Sequence, residues 1–318
     1  MKRRVIQIAN STQLISLPRK WTQKYGVKKG DEMEVEEQGN KILISTEKGA
    51  ELGHIEIDVT GLDRTTILYY IQTLYRTGYD EIKVNFNNPT TIHYRTNKNV
   101  NITPVIHGEV NRLIGYEIVQ QKENFCVIKN LSQSSITEFD SVLRRIFLLM
   151  NDASSDLLKG IKELNYGLIE TIEEKHDSIT KFISYCLRLL HKYGYPDQRK
   201  ALISYHIIST LDKLIDILKN GGRDILKLKH KFDAKTIQLM TIINESVHIY
   251  SEFFFKFDLK KAVQIYKNRQ EMLDLLNQHK TKIPADELLM ISKMEHALEL
   301  LADIEVARIG MNINHSTS

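Results

Sequence analysis

A long run of helical periodicity in the C-terminal half of the chain most constrains its fold. After a polar linker at 132–135, apolar residues recur at the three- and four-residue spacing of amphipathic helices. Short segments that contain Gly or Pro, at 194–196, 221–222 and 283–284, interrupt the run. The pattern predicts six helices, at 137–162, 168–193, 197–219, 234–257, 258–279 and 285–310.

The predicted helical part repeats itself once. A His-Lys pair followed by Pro occurs at 191–196 and again at 279–284, and each copy precedes a helix with two carboxylates four residues apart. These carboxylates are Asp212 and Asp216 in the first copy, and Glu299 and Asp303 in the second. The repetition predicts two tandem three-helix units that pack as one all-α bundle over residues 136–312.

The spacing of these carboxylates also suggests a cation site. Two carboxylates four residues apart lie on one face of a helix, where their like charges repel unless water screens them or a cation offsets them. Iron, manganese, zinc, magnesium and calcium are all candidate ions for such ligands. His296 lies on the same stripe as Glu299 and Asp303 and is a further candidate ligand. A solvated acidic helix face is the alternative interpretation.

The first 30 residues carry eight cations and not one acidic residue. Because the whole chain of 318 residues has a net charge of only +4, positive charge is concentrated at the N-terminus. Such a local field suits the phosphate backbone of DNA, and a solvated basic surface is the alternative. The residues predicted to contact DNA are Lys2, Arg3, Arg4, Arg19, Lys20 and Lys24.

The same N-terminal segment predicts a small β domain with one short helix. Extended patterns at 4–9 and 11–17 precede Pro18, which suits a first helical position, and the helix should end at Gly26. A hairpin of 32–36 with 41–45 follows. About 45 residues with so few large apolar side chains cannot close a core alone, so we expect a homodimer.

Residues 52–131 predict a small α/β domain. The predicted order is strand 54–59, helix 63–77, strand 81–86, helix 103–113 and a closing hairpin of 115–120 with 125–129. The segment has no glycine-rich phosphate loop and no cluster of acids or histidines. A structural connector and a ligand-sensing domain are the two roles left open.

The N-terminal motifs resemble a known family. Residues 11–21 (STQLISLPRKW) and 26–31 (GVKKGD) follow an arginine-rich first strand. Together they resemble the swapped-hairpin DNA-binding domain of the AbrB and SpoVT transition-state regulators, over residues 1–48. The resemblance implies a homodimer with double-stranded DNA as its partner.

The helical part resembles the PhoU family, whose two three-helix repeats hold metal clusters with acidic pairs on their third helices. The run at 302–309 (ADIEVARI) follows the family pattern, whereas 211–216 (LDKLID) departs from it. The residues at the family's motif positions are Asp212, Asp216, Glu299 and Asp303.

The PhoU resemblance implies a second acidic pair on the second helix of each repeat. Glu173 and Asp177 supply this pair in the first repeat. In the second repeat Glu271 and Asp274 are three residues apart, and a different alignment places Arg269 where an acid belongs. An arginine there would discourage metal binding, so we expect partial occupancy at most.

The two resemblances together imply a cytoplasmic, DNA-binding regulator of phosphate uptake with a PhoU-like helical sensor. A phosphate transporter ATPase or a sensor kinase is the implied protein partner. The alternative function is an adaptor for such a partner without sequence-specific DNA binding. We expect no membrane span, no chemistry at Cys126 or Cys186, and no enzyme, because no catalytic or di-iron motif is complete.

Overall fold

The computed structural model describes residues 2–8, 12–38, 41–46, 53–132, 134–195, 198–279 and 281–312. The chain divides into two compact units, residues 1–51 and residues 52–318. In the first unit, strands β1 (Ile6–Ile8) and β2 (Thr12–Leu14) pair antiparallel, and so do β3 (Glu34–Gln38) and β4 (Lys41–Ser45). The short helix α1 (Arg19–Lys24) lies between the two hairpins in the sequence.

The local structure of the first unit follows its turn residues. Pro18 is extended and immediately precedes α1, and Gly26 has a φ of 65°, in the left-handed region where glycine avoids steric cost. The predicted helix and the second predicted hairpin are therefore confirmed to within a few residues. The turn of the second hairpin, at residues 39–40, lies outside the described residues.

In the first unit, the side chains that the structure describes form no buried core. None of its described residues is classed as buried. Ile6, Ile8 and Leu14 share one face of the first hairpin, and 58%, 52% and 45% of their surfaces are exposed. Val35 and Ile42 share a face of the second hairpin and are 61% and 67% exposed. The small N-terminal strand domain is thus an incomplete folding unit by itself.

The second unit begins with an α/β layer, in which the described strands form a sheet of order β5-β6-β10-β9. Strands β5 (His54–Asp58) and β6 (Glu81–Asn85) are parallel, and α2 (Arg64–Arg76) provides the crossover that parallel strands need. Strands β9 (Tyr116–Gln121) and β10 (Phe125–Asn130) close the sheet as an antiparallel hairpin, after helix α3 (Ile102–Val110). The predicted βαβ unit and closing hairpin are confirmed.

One hairpin of the α/β layer was not predicted. Strands β7 (Thr90–His93) and β8 (Lys98–Asn101) pair antiparallel around a turn in which Asn97 has a φ of 51°. Its residues are mostly polar and exposed, so the sequence carries no apolar alternation that would indicate a strand. The turn carries Arg95, which lines a cavity between the α/β layer and the helices.

A largely helical region completes the second unit. Its described helices are α4 (Phe139–Glu163), α5 (Tyr166–Glu170), α6 (Ile172–Tyr193), α7 (Gln198–Leu228), α8 (Ala234–Phe255), α9 (Leu259–His279) and α10 (Ala285–Met311). Helices α4, α6 and α7 pack together, as do α8, α9 and α10, and the contacts of α4 with α8 and of α7 with α10 join the two sets.

The prediction that a helix ends at 219 is wrong, because α7 continues through Gly221 and Gly222 to Leu228. Both glycines are buried where neighbouring helices approach α7 closely. A Cβ atom on Gly221 would lie 2.5 Å from Met294 Sδ, and one on Gly222 would lie 3.3 Å from Leu157 Cδ2. These glycines make room for helix packing, although their sequence looks like that of a break.

We expect Gly221→Ala to destabilise the protein. The added methyl group must displace Met294, which is fully buried, and overpacking of this kind costs about 1–3 kcal/mol, more than the roughly 1 kcal/mol that Ala gains over Gly in a helix. Gly310→Ala is the matched control, since its Cβ would make an ordinary 3.7 Å contact with Ile203. Urea unfolding should show a lower midpoint for the first variant only. Equal midpoints would contradict the packing argument.

A buried arginine joins the α/β layer to the helices. Arg188 of α6 is only 1% exposed and donates to the backbone oxygens of Tyr75 and Tyr79, at 3.0 and 2.7 Å, and to Asp80 Oδ1 at 2.6 Å. Its guanidinium also lies over the rings of Tyr75 and Tyr116, 4.9 and 5.3 Å from their centroids. Lys192 adds a second ion pair to Asp80 at 2.6 Å. These contacts fix α6 against the end of α2.

Arg188→Met should lower the free energy of unfolding by about 3 kcal/mol or more. The substitution keeps much of the side-chain volume but leaves buried carbonyl oxygens without a donor and removes one counter-ion of Asp80. Arg145→Met, at an exposed position of α4, should change stability by less than about 0.5 kcal/mol. Chemical denaturation of both variants checks this. A similar small effect for both would show that Arg188 is not a structural link.

Candidate functional sites

Six cations of the first unit are exposed, and among the described residues they have no counter-ion. Lys2, Arg3 and Arg4 precede β1, and Arg19, Lys20 and Lys24 belong to α1; all six are exposed. Among the described residues, none of these six lies within 4 Å of an acidic group. Lys24 instead lies 5.2 Å from the ring centroid of Tyr25. These six cations are therefore free of ion pairs with the acids that the structure describes.

The nearest acidic residue in the sequence serves the local turn. Asp31 Oδ2 accepts a hydrogen bond from the backbone nitrogen of Lys28 at 2.7 Å, which closes the turn before β3. Gly30, between them, has a φ of 95°. Asp31 therefore stabilises this turn, and the sequence motif GVKKGD has a structural role here.

In the second unit, the acidic pair of α7 is bound to basic side chains. Asp212 Oδ2 accepts from Arg76 of α2 at 2.8 Å, and Asp212 Oδ1 accepts from Thr180 at 3.3 Å. Asp216 Oδ1 lies 2.6 Å from Lys219 Nζ and 3.0 Å from His176 Nε2. Cations of the protein next to the two carboxylates offset their mutual repulsion.

The acidic pair of α6 is paired in the same way. Asp177 Oδ1 accepts from Arg112, which follows α3, at 2.6 Å and lies 2.9 Å from His176 Nδ1. Glu173 makes a two-pronged ion pair with Arg223 of α7. Arg76 and Arg112 both come from the α/β layer, so the acids of the helices serve as its docking partners.

The pKa values in this cluster follow from these contacts. Burial opposes the charged imidazole of His176, but its hydrogen bonds to Asp177 and Asp216 outweigh burial and raise its pKa. Burial of Asp216 would raise its pKa, yet His176 and Lys219 hold it well below its usual range. Lys219 Nζ also lies 2.9 Å from His176 Nε2, which favours the neutral ring, although the two carboxylates dominate.

The acidic pair of α10 is arranged differently. Glu299 Oε1 accepts a hydrogen bond from Arg269 Nε of α9 at 2.7 Å. Arg269 is the arginine that the alternative alignment places where the PhoU family has an acid, and here it is the ion-pair partner of the predicted metal ligand Glu299. Asp303 and His296 are exposed, and in the described part of the chain their side chains make no hydrogen bond or ion pair. Asp274, also on α9, accepts from Gln270 at 3.0 Å.

The structure therefore offers few ligands to a metal ion. Within the described ranges, no three His, Cys, Asp or Glu side chains are grouped so that they could hold one. The acids at 173, 177, 212 and 216 each have a basic partner, and a metal would have to displace it. Metal binding at the predicted residues stays a prediction. The sequence did not reveal Arg76, Arg112 and Arg223 as partners, because each lies 50 to 136 residues away from its acid.

A comparison with known protein families gives a match within the first unit. The family model described as "Antidote-toxin recognition MazE, bacterial antitoxin" matches residues 6–51. Among curated proteins, none matches this chain. In the described residues, no helix has the length and apolar character needed to cross a bilayer.

Metal analysis of protein purified without chelator tests the acidic pairs. We expect less than one metal ion per chain, removed by Asp303→Asn but unaffected by Asp212→Asn, since Asp212 is occupied by Arg76 whereas Asp303 is open to solvent. Elemental analysis of the two variants gives the answer. If no metal is found in any sample, a solvated acidic face on α10 is the correct account, and metal lost through Asp212→Asn would contradict the ion-pair argument.

The segment that the family model matches, residues 6–51, contains both hairpins and the short helix of the first unit. It forms a MazE/AbrB-like domain at the N-terminus of a chain that is otherwise largely helical.

Proposed function

We propose that this protein is a DNA-binding transcriptional regulator that acts as a homodimer through its N-terminal domain. The observation that carries the proposal is the state of the described residues of the first unit, where the six predicted DNA-contacting cations form no ion pair and apolar side chains of both hairpins are exposed. A binding partner must supply both the counter-ions and the cover for the apolar faces. A second copy of the chain covers the apolar faces, and duplex DNA neutralises the cations.

The uncovered faces support the homodimer. Ile6, Ile8 and Leu14 on one hairpin and Val35 and Ile42 on the other expose about half or more of their surfaces. A soluble protein rarely leaves such faces in water, and a domain this small needs a partner to build a core. A two-fold symmetric pairing would bury the same residues on both copies. It would also bring two sets of basic residues into one assembly.

The basic residues support contacts with phosphates. Arg3 and Arg4 lie before β1, while Lys20 and Lys24, one turn apart, share a face of α1. Arginine donates in a fork that fits a phosphate, and basic side chains without acidic neighbours lose little when they bind one. The MazE/AbrB-like character of residues 6–51 is compatible with this role.

The regulated process is proposed from the PhoU resemblance of the helical region. We infer that the chain controls phosphate uptake, with residues 136–312 as the sensor. An adaptor for a transporter ATPase or a sensor kinase is the second candidate. It is favoured by an exposed apolar stripe on α9, where Leu259, Val263 and Tyr266 are 54%, 54% and 61% exposed. We propose no catalytic role for either module.

We expect Arg3→Glu combined with Arg4→Glu to weaken binding to duplex DNA by at least about 100-fold, because a dimer would lose four phosphate-binding cations and gain four repelling charges. The affinity of the unmodified protein should fall about 10³- to 10⁵-fold between 50 and 200 mM salt if six to ten phosphates are contacted. Fluorescence anisotropy or a gel shift with random and genomic duplexes measures both.

The control makes the same change of net charge elsewhere. Lys260→Glu with Lys267→Glu alters two exposed lysines of α9 and should leave DNA affinity unchanged. Binding that is insensitive to salt and to the Arg3 and Arg4 changes would reject DNA binding and leave the adaptor function.

A further inference from the structure

A polar cavity of about 740 Å³ lies between the α/β layer and the helices of the second unit. Helix α2, the turn between β7 and β8, and the residues around the end of α3 line one side, and helices α6 and α7 line the other. A smaller cavity of about 450 Å³ adjoins it and shares Arg64, Leu68, Glu109 and Arg112 with it. These volumes are in the range of sites that hold small-molecule ligands.

The cavity wall has an excess of positive charge. Seven Arg or Lys side chains and five Asp or Glu side chains line it, together with two histidines. Four of the acids are neutralised by ion pairs with four of the cations, namely Asp212 with Arg76, Asp216 with Lys219, Asp177 with Arg112 and Glu173 with Arg223. The pairs of Arg76 and Arg112 join the two walls, whereas the other two pairs lie within the wall of α6 and α7. In the described residues, three cations and one acid of the wall are left without an ion-pair partner.

The three remaining cations are Arg64 at the start of α2, Arg95 in the β7–β8 turn and Lys213 on α7. In the part of the chain that the structure describes, none of the three forms an ion pair within 4 Å. Arg64 and Arg95 both act on His93, whose pKa is lowered by burial and by their charges. Asp63, which precedes Arg64 in the sequence, acts on His93 in the opposite direction, but burial and the two arginines outweigh it.

The remaining acid is Glu109 of α3, which is only 4% exposed and lines both cavities. Within the described residues its carboxyl group has no hydrogen-bond partner. Burial raises its pKa to about 7, although Arg112, Arg76 and Arg64 oppose the shift. A buried carboxyl group without a partner is costly, and a ligand with acceptor oxygens would supply a partner to its protonated form.

We propose that this cavity binds a phosphate group, either as inorganic phosphate or as part of a nucleotide-sized molecule, through Arg64, Arg95 and Lys213. The wall carries an excess of two positive charges when Glu109 is ionised and of three when it is protonated, and either excess suits a phosphate dianion better than a single carboxylate. Thr65, Thr73 and Gln72 of α2 line the same cavity and supply neutral hydrogen-bonding groups. A ligand here would contact both the α/β layer and helices α6 and α7. The proposal goes beyond DNA binding and does not depend on it.

Isothermal titration of the full chain in phosphate-free buffer tests the site, with inorganic phosphate, ADP, adenosine and acetate as separate probes. We expect phosphate or ADP to bind, and adenosine and acetate not to bind. If ADP binds at least about tenfold more tightly than phosphate, the ligand is nucleotide-sized. If phosphate binds as tightly as ADP or more tightly, free phosphate is the ligand. Binding of neither phosphate nor ADP, or equal binding of acetate or adenosine, would overturn the proposal.

Variants show whether the binding is at this cavity. Arg64→Gln with Arg95→Gln should weaken binding about tenfold or more, because two cations that contact the phosphate are lost. The fold should persist, because in the described residues neither arginine forms an ion pair. Arg145→Gln on α4 is the matched control and should have no effect. Glu109→Gln, which removes a negative charge at constant shape, should tighten binding. Arg3→Glu with Arg4→Glu should leave ligand affinity unchanged even though it abolishes DNA binding. Unchanged affinity in the Arg64 and Arg95 variant would contradict the assignment.

Discussion

The second unit depends on the guanidinium group of Arg188. It lies in the interior between α6 and the α/β layer, where two backbone carbonyls, one carboxylate and two tyrosine rings surround it. A buried arginine is tolerated only when its donors are satisfied, so its position fixes α6 relative to α2. The ion pairs of Arg76 and Arg112 with the acids of α7 and α6 then form at a rigid junction. The walls of the cavity are held in place by these three arginines.

The first unit differs from the second because its described side chains form no buried interior. Its strands are three to five residues long, and its apolar side chains lie on the surface. A chain segment of this size cannot offset the entropy of folding with so little burial. Completion by a second copy, which we propose, would make folding, dimerisation and the assembly of a basic surface one event. DNA affinity would then be coupled to the concentration of the protein.

The sequence predicted the elements that local patterns determine. The βαβ unit, the short helix after Pro18 and most helix positions are examples, since alternation and turn residues are local signals. Gly221 and Gly222 led to a wrong prediction of a helix end, because the close approach of Met294 to Gly221 is visible only in the folded structure. The acidic pairs were found, but not their basic partners. Arg76 and Asp212 are 136 residues apart, and no spacing rule connects residues that meet only through tertiary packing.

Completion of the N-terminal domain by a second copy is the central claim, and sedimentation analysis of the full chain tests it most directly. We expect a particle of twice the 36.9 kDa chain mass at micromolar concentration. Val35→Lys with Ile42→Lys places charge on the exposed hairpin face and should yield the single chain. A native protein that sediments as one chain, or a dimer that survives both lysines, would contradict the account.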